Sequence, residues 1–168
     1  MIKQSEMEFE KTSIFDKTVF KIDEKSVTSI ITGLNQIWLQ KKDFCFPGPQ
    51  PISIERKHFP TLKNNYTVCE KSDGVRYALV CINHENKNIV AILDRKLSLY
   101  LCSLSIPTTC YEGTILDGEL IETKHGITFL VYDCVLMCGR NVSDHSFKNR
   151  LLMARTLVDG INIKHNDT

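Results

Sequence analysis

The sequence predicts an α+β fold, a largely antiparallel β-sheet flanked by helices, and three observations carry that expectation. Residues 66–136 hold closely spaced β-branched and aromatic runs separated in places by polar turns, a spacing that favours hairpins over crossover connections. Residues 26–41 and 146–158 instead repeat their apolar side chains at helical spacing. With 168 residues, 42% of them hydrophobic and 24% charged, the chain can bury one substantial core and has no bias towards disorder or fibre.

Taken in order, residues 1–24 mix charges of both signs with scattered Phe9, Phe15, Val19, Phe20 and Ile22. That pattern fits an arm packing on a neighbour or a short strand pair. Next, Val27, Ile30, Ile31, Leu34, Ile37 and Trp38 share one helical face, with Asp23 or Ser26 as the cap. Residues 1–43 are accordingly read as an N-terminal arm and amphipathic helix, and residues 44–168 as a separate unit. Phe46-Pro47-Gly48-Pro49-Gln50-Pro51 cannot be helical and is an extended, turned crossing. Strands are expected over residues 66–70, 75–82, 89–93, 98–102, 114–121 and 128–136, with polar turns at 83–88 and at Lys124-His125-Gly126. The last helix, residues 146–158, should turn Phe147, Leu151, Ala154 and Val158 to the core, with Ser143 or Asp144 near its start.

Charge and cysteine usage narrow the function classes. With 21 basic and 20 acidic side chains the net charge is +1, so no generalised grip on nucleic acid is built in. Any RNA contact must be local or supplied from outside the chain. No apolar run approaches the roughly 20 residues of a membrane span, and no membrane partner is expected. The polar start, Met1-Ile2-Lys3-Gln4-Ser5-Glu6, leads into no apolar signal core, and seven cysteines is an odd number. Both point to an intracellular protein of the nucleus or cytoplasm with reduced thiols. Cys134 and Cys138 are the one close pair; no second pair or His completes a zinc site, so the cysteines are expected to be small core residues.

Four segments carry candidate chemistry. Glu70-Lys71-Ser72-Asp73-Gly74-Val75-Arg76 sits between two expected strands. A lysine there can act as a nucleophile when its amine is neutral, Gly74 lets the backbone approach a phosphate, and Arg76 offers a planar fork to phosphate or ribose oxygens. The same residues also make an ordinary charged hairpin. Asp117-Gly118-Glu119, at the start of a strand, can hold a ribose hydroxyl or help hold a metal, or can be a plain turn. Tyr132, followed by Asp133 at the end of an apolar strand, can stack on a purine or fill a core. Asp94-Arg95 is either a surface turn or a phosphate contact.

In this order these segments resemble the covalent nucleotidyltransferases, the superfamily of capping guanylyltransferases and nucleotide-dependent ligases. Lys71 to Arg76 is similar to its nucleophile motif, Asp117-Gly118-Glu119 to its acidic motif, and Val131-Tyr132-Asp133 to its base-stacking strand. Residues 46–53, Ile92-Leu93-Asp94-Arg95 and residues 147–151 resemble the capping branch. The resemblance covers about residues 44–160 and implies an adenylation-type nucleotidyltransferase domain, of which residues 44–168 form the N-terminal part.

It further implies the site. Lys71 would attack the α-phosphorus of GTP and form a lysyl-N–GMP intermediate, which passes to a 5′-diphosphate RNA end to give a GpppN cap. Glu70, Asp73, Gly74, Arg76, Arg95, Glu119 and Tyr132 would bind the nucleotide, Arg76 and Glu119 at the ribose, Tyr132 on guanine and Arg95 near the phosphates. Glu119 would also help bind Mg²⁺ or Mn²⁺, and Asp117 and Asp133 would support the site. The family pattern includes a further acidic strand, a lysine-bearing strand and an OB-fold domain, none of which is found after Asp133. The chain is therefore expected to be a fragment, one half of a split enzyme or a degenerate copy, with a separate C-terminal part or other capping subunits as partners. An ATP-dependent ligase adenylation domain and a non-catalytic nucleotide-binding module are the competing readings.

Overall fold

The computed structural model describes residues 7–38, 46–48, 51–63 and 66–165, with side chains of the last helix through residue 161. Among them, eight strands form one sheet whose neighbours are all antiparallel. They are β1 (Phe9–Ile14), β2 (Lys17–Ile22), β3 (Val75–His84), β4 (Lys87–Leu93), β5 (Leu99–Leu101), β6 (Thr114–Thr123), β7 (Gly126–Met137) and β8 (Arg140–Asn141). The spatial order is β1-β2-β5-β4-β3-β6-β7-β8. Two α-helices, α1 (Glu24–Trp38) and α2 (Phe147–His165), complete the expected α+β class.

The sheet is covered on both faces, which is why its central strands read as unbroken apolar runs. Alternate residues of β3 sort cleanly: Ala78, Val80 and Ile82 pack with Val27, Ile30 and Leu34 of α1, while Tyr77, Leu79 and Cys81 pack with Ala154 and Leu157 of α2. β4 divides the same way, Ile89, Ala91 and Leu93 against Val90 and Ile92. Period-two alternation thus survives, but both halves are apolar.

Of the two readings of the amino-terminal residues, the short strand pair is the one seen. Phe15 and Asp16 take positive φ in a two-residue turn, the geometry whose twist suits a hairpin. β2 then pairs with β5 through Lys21 and Tyr100, so residues assigned to the arm share the sheet and core of the rest. α1 starts two residues before the expected helix because Asp23 is its cap: Oδ1 accepts from the Ser26 amide at 2.9 Å. Residues 39–41 of the expected helix lie outside the described residues.

Three expectations need correction. Residues 66–70 form no strand; they are irregular, with Tyr66 61% and Val68 92% exposed. β3 is already flanked by β4 and β6, so it offers this segment no free edge. α2 is rotated from the expected face, with Ala154 and Leu157 buried and Leu151 38% exposed. Its first turn is capped by Ser146, whose hydroxyl accepts from the Asn149 amide at 3.4 Å, and Ser143 and Asp144 lie near its start as expected. Finally, Asp117-Gly118-Glu119 is neither a turn nor the start of a strand but the middle of β6.

The thiols behave largely as core residues. Cys81, Cys110 and Cys134 are buried on the α2 face and Cys102 and Cys138 half-buried, whereas Cys69 is exposed; Cys45 lies outside the described residues. Burial pushes the Cys134 thiol up to about 12 and Cys102 to about 11. The spatial neighbour of Cys138 is Cys110, with sulfurs 3.9 Å apart, rather than Cys134.

Candidate active site

A cleft of about 1230 Å³ opens at the end of the sheet where β3 begins. Residues 69–72 lead past it, and Glu70, Lys71, Gly74, Arg76, Arg95, Glu119 and Tyr132 all line it. The structure therefore gathers in one cavity residues spread over some 60 positions of sequence. Pairing explains the convergence: Arg76 lies opposite Glu119 across β3 and β6, and Glu119 opposite Leu130 across β6 and β7. Asp73, Asp117 and Asp133, expected at or beside the site, do not line the cleft.

The α1 face of the cleft is built on a buried ion pair. Arg76 donates from Nε to Asp117 Oδ1 at 3.0 Å and from Nη2 to Oδ2 at 2.5 Å, with the Asp117 side chain fully buried. Burial raises the Asp117 carboxyl above its ordinary range, and the guanidinium partly offsets that. The Phe46 ring caps the pair, its centroid 5.0 Å from the guanidinium carbon. Gly48, at φ +100°, passes so close to Asp117 and Arg76 that a β-carbon would collide with the carboxylate. The Phe46–Gly48 crossing is thus a lid on the ion pair.

Tyr132 owes its place to an irregularity. Asp117 pairs with Asp133 but the next residue, Gly118, pairs with Val131, which leaves Tyr132 as the extra residue of a β-bulge. Gly118 permits the close strand approach here: an added β-carbon would lie 2.5 Å from the Leu130 carbonyl oxygen and from the Phe129 ring. Burial pushes the Tyr132 phenol up to about 12, with the Asp117 charge adding to the shift and Arg76 opposing it. Glu119 accepts from the Gly74 amide at 3.3 Å, which ties the segment after Lys71 to β6.

Lys71 is exposed, and the contact shown for its amine is a 3.5 Å one to the Ser72 carbonyl. Arg76 is paired with a carboxylate; Lys71 and Arg95 form no ion pair among the described residues. Asp94-Arg95 does form a surface turn, and Asp94 organises it. Its carboxylate accepts from the Lys96 and Ser98 amides, both at 2.8 Å, and from the Tyr100 hydroxyl at 3.1 Å.

As for a divalent metal, no group of three or more His, Cys, Asp or Glu side chains converges among the described residues. Glu70 and Glu119 both line the cleft, and neither forms an ion pair among the described residues. So few carboxylates fit an octahedral Mg²⁺ that arrives on nucleotide phosphates and keeps its waters, and do not make a cage for a metal.

Sequence reading missed three contributors. Arg150 of α2 donates from Nε and Nη2 to the two oxygens of buried Asp133, at 2.8 and 2.9 Å, and so fixes β7 next to Tyr132. Lys21 and Lys96 also line the cleft. An acid next to Tyr132, followed 17 residues on by an arginine within a helix, was the available signal for the first. None existed for Lys21.

The chain belongs to the family described as mRNA capping enzyme, catalytic domain, whose model matches residues 11–167. The mRNA-capping enzyme subunit alpha of Schizosaccharomyces pombe is 38% identical over 111 residues, 56% of this chain and 28% of that protein. The protein of the same name in Neurospora crassa is 35% identical over 116 residues, covering 59% of this chain and 29% of the relative. The mRNA-capping enzyme of Danio rerio is 34% identical over 118 residues, 64% of this chain and 19% of that protein. The chain spans less than a third of the length of these relatives.

Proposed function

We propose that this chain supplies the nucleophile-bearing part of a GTP:RNA guanylyltransferase. One observation carries the reading: an exposed lysine amine without a carboxylate partner shares a cleft with a ribose-type acid, Glu119, and a half-buried aromatic, Tyr132. The neutral Lys71 amine attacks the α-phosphorus of GTP, the bond to pyrophosphate breaks, and a lysyl-N–GMP phosphoramidate forms as the nitrogen loses a proton. A terminal phosphate oxygen of a 5′-diphosphate RNA then displaces the nitrogen to give GpppN. Tyr132 stacks on the guanine and Glu119 binds the ribose. Arg76 holds Asp117 beneath the site and reaches ribose through whatever donor capacity the pair leaves it. Mg²⁺ or Mn²⁺ supplies charge neutralisation on the triphosphate when bound. The names of the fungal relatives as subunit alpha support a further polypeptide as partner in the complete assembly.

The test is covalent labelling. The chain, alone and supplemented with the segment that follows in the complete enzyme, is incubated with α-labelled GTP or ATP and Mg²⁺. An acid-labile, alkali-stable label from GTP is expected, lost in Lys71→Ala and Lys71→Arg, because arginine stays charged at working pH. Undiminished label in Lys71→Ala would remove the mechanism. Preference for ATP, with joining of nicked strands, would move the chain to the ligases.

A further inference from the structure

We propose that Cys110 and Cys138 form a redox-active dithiol, oxidised reversibly to a disulfide that closes the β6–β7 hairpin into a covalent ring. Neither thiol lines the cleft, so the pair is separate from the site of guanylyl transfer.

The two thiols come from distant positions. Cys110 sits in the 3₁₀ turn Thr108–Glu112 that leads into β6, and Cys138 in the turn between β7 and β8. Their sulfurs are 3.9 Å apart across 28 positions of sequence. Bonded sulfurs lie about 2 Å apart, so a side-chain movement of about 2 Å joins them. The backbone beneath is fixed on both sides. Thr114, fully buried, donates from its hydroxyl to the Cys110 carbonyl at 3.0 Å and accepts from the Cys138 amide at 3.1 Å. Beside it, the Gly139 amide donates to the Gly113 carbonyl at 2.8 Å. One buried side chain thus brackets both cysteines. The thiols of Cys102 and Cys134 donate instead to the Tyr100 and Leu136 carbonyls, at 3.8 and 3.5 Å.

The turn that carries Cys138 does not call for a thiol. Cys138 and Gly139 take φ of 48° and 74°, the two positive values of a two-residue hairpin turn. Asn, Asp or Gly is favoured at its first position, and other L side chains rarely adopt that geometry. Access is divided between the pair: Cys138 is half-buried, whereas Cys110 is 1% exposed. Burial, together with the neighbouring Cys138, pushes the Cys110 thiol up to about 11. Cys138 is therefore the thiol that meets an oxidant from solution, and Cys110 is the one that resolves.

With glutathione disulfide as the oxidant, the Cys138 thiolate attacks one of its sulfurs, expels one glutathione thiolate and leaves a mixed disulfide. Cys110 then loses its proton and attacks the Cys138 sulfur, expelling the second glutathione. Two cysteine thiols are oxidised, one glutathione disulfide is reduced to two thiols, and the two protons pass to the leaving groups. The loop closed by this bond contains all of β6 and β7, and with them Glu119, Tyr132 and the bulge. Joining its ends restricts the unfolded chain far more than the folded one, so oxidation favours the formed hairpin.

Thiol counting, alkylation and peptide mapping of the chain in glutathione buffers of stepped disulfide-to-thiol ratio test this. Oxidation should protect Cys110 and Cys138 together from alkylation, leave no glutathione on Cys138, and yield a linked peptide joining the two. Dithiothreitol should reverse it. The bridged form should unfold at a Tm roughly 5–15 °C above that of the reduced form. Cys138→Asn, which suits the turn, and Cys110→Ala should each lose the bridge and the Tm difference, while Cys134→Ala keeps both. If Cys110→Ala fails to fold, Cys138→Asn alone decides. Cys110 and Cys138 that stay reduced in excess glutathione disulfide overturn the proposal, as does a lasting glutathione adduct on Cys138. A linked peptide joining other cysteines in place of this pair overturns it too. A bridge that leaves Tm unchanged overturns the stapling of the hairpin. None of these readouts uses nucleotide, so loss of the guanylyl-transfer reading leaves the outcome untouched.

Discussion

Replacing Arg150 by alanine should destabilise the fold far more than its position on a helix surface suggests. The Asp133 side chain is 2% exposed and Arg150 16%, and two guanidinium nitrogens meet the two carboxylate oxygens. Arg150 Nη1 also donates to the His145 carbonyl at 2.7 Å and to the Ser143 carbonyl at 3.4 Å. The variant leaves Asp133 as a buried carboxylate with the Cys134 amide, at 2.8 Å, as its remaining donor. Breaking one side of such a pair typically costs about 3–5 kcal/mol, a large share of the roughly 5–15 kcal/mol that stabilises a domain. At about 2–4 °C per kcal/mol for a chain of this size, Tm should fall by roughly 6–20 °C. Arg155→Ala is the internal control: its 3.7 Å contact to Asp159 joins side chains 78% and 63% exposed, and such pairs contribute about 0–0.5 kcal/mol. The double change Arg150→Met, Asp133→Leu should recover most of the loss, because it removes both charges together. Thermal unfolding followed by circular dichroism reads all three. A Tm for Arg150→Ala within 2 °C of wild type, taken as roughly the shift of a 1 kcal/mol change, would refute the reasoning.

Further outcomes follow from the cleft. Tyr132→Ala should weaken GTP binding by about 1–3 kcal/mol if its ring stacks on the base, while Tyr132→Phe should be mild; equal affinity in both variants would make the ring a packing residue only. Gly118→Ala should cost about 1–3 kcal/mol of stability, because the new methyl meets the Leu130 carbonyl and the Phe129 ring, and unchanged urea unfolding would show that the bulge can relax. In tyrosinate absorbance, the wild-type minus Tyr132→Phe difference should titrate at about 12 in the folded protein, above the ordinary 10.0. The sign follows: the neutral phenol is favoured by folding, so its stabilisation is whole below pH 10 and is lost as pH rises through about 12. A difference step at the ordinary value would show that the phenol is not held in the buried arrangement.

Local chemistry made much of this protein legible in the linear chain. The α1 stripe at Val27, Ile30, Leu34 and Trp38 can be read because an amphipathic helix repeats every few residues, and all four are buried. The central strands can be read from β-branched runs, and the Lys71, Glu119 and Tyr132 segments from a motif whose residues lie close together in sequence. The strand expectation failed at residues 66–70 because strand propensity says only that a segment would suit a sheet. Whether an edge is free to receive it depends on the neighbours of β3, which are set by chain segments far away.

What the sequence determined by itself was the class of the fold, the α1 helix and the central strands. Tertiary structure decided which charges are spent and which are free, since that depends on distance and not on residue type. Arg76 and Arg95 look equivalent in the chain, yet one is bound to a fully buried carboxylate and the other is exposed beside the cleft. The bulge that presents Tyr132 likewise follows from a register mismatch between β6 and β7 that neither strand contains alone. Lys21 reaches the cleft only because β2 pairs with β5, a long-range contact whose closure no local pattern encodes.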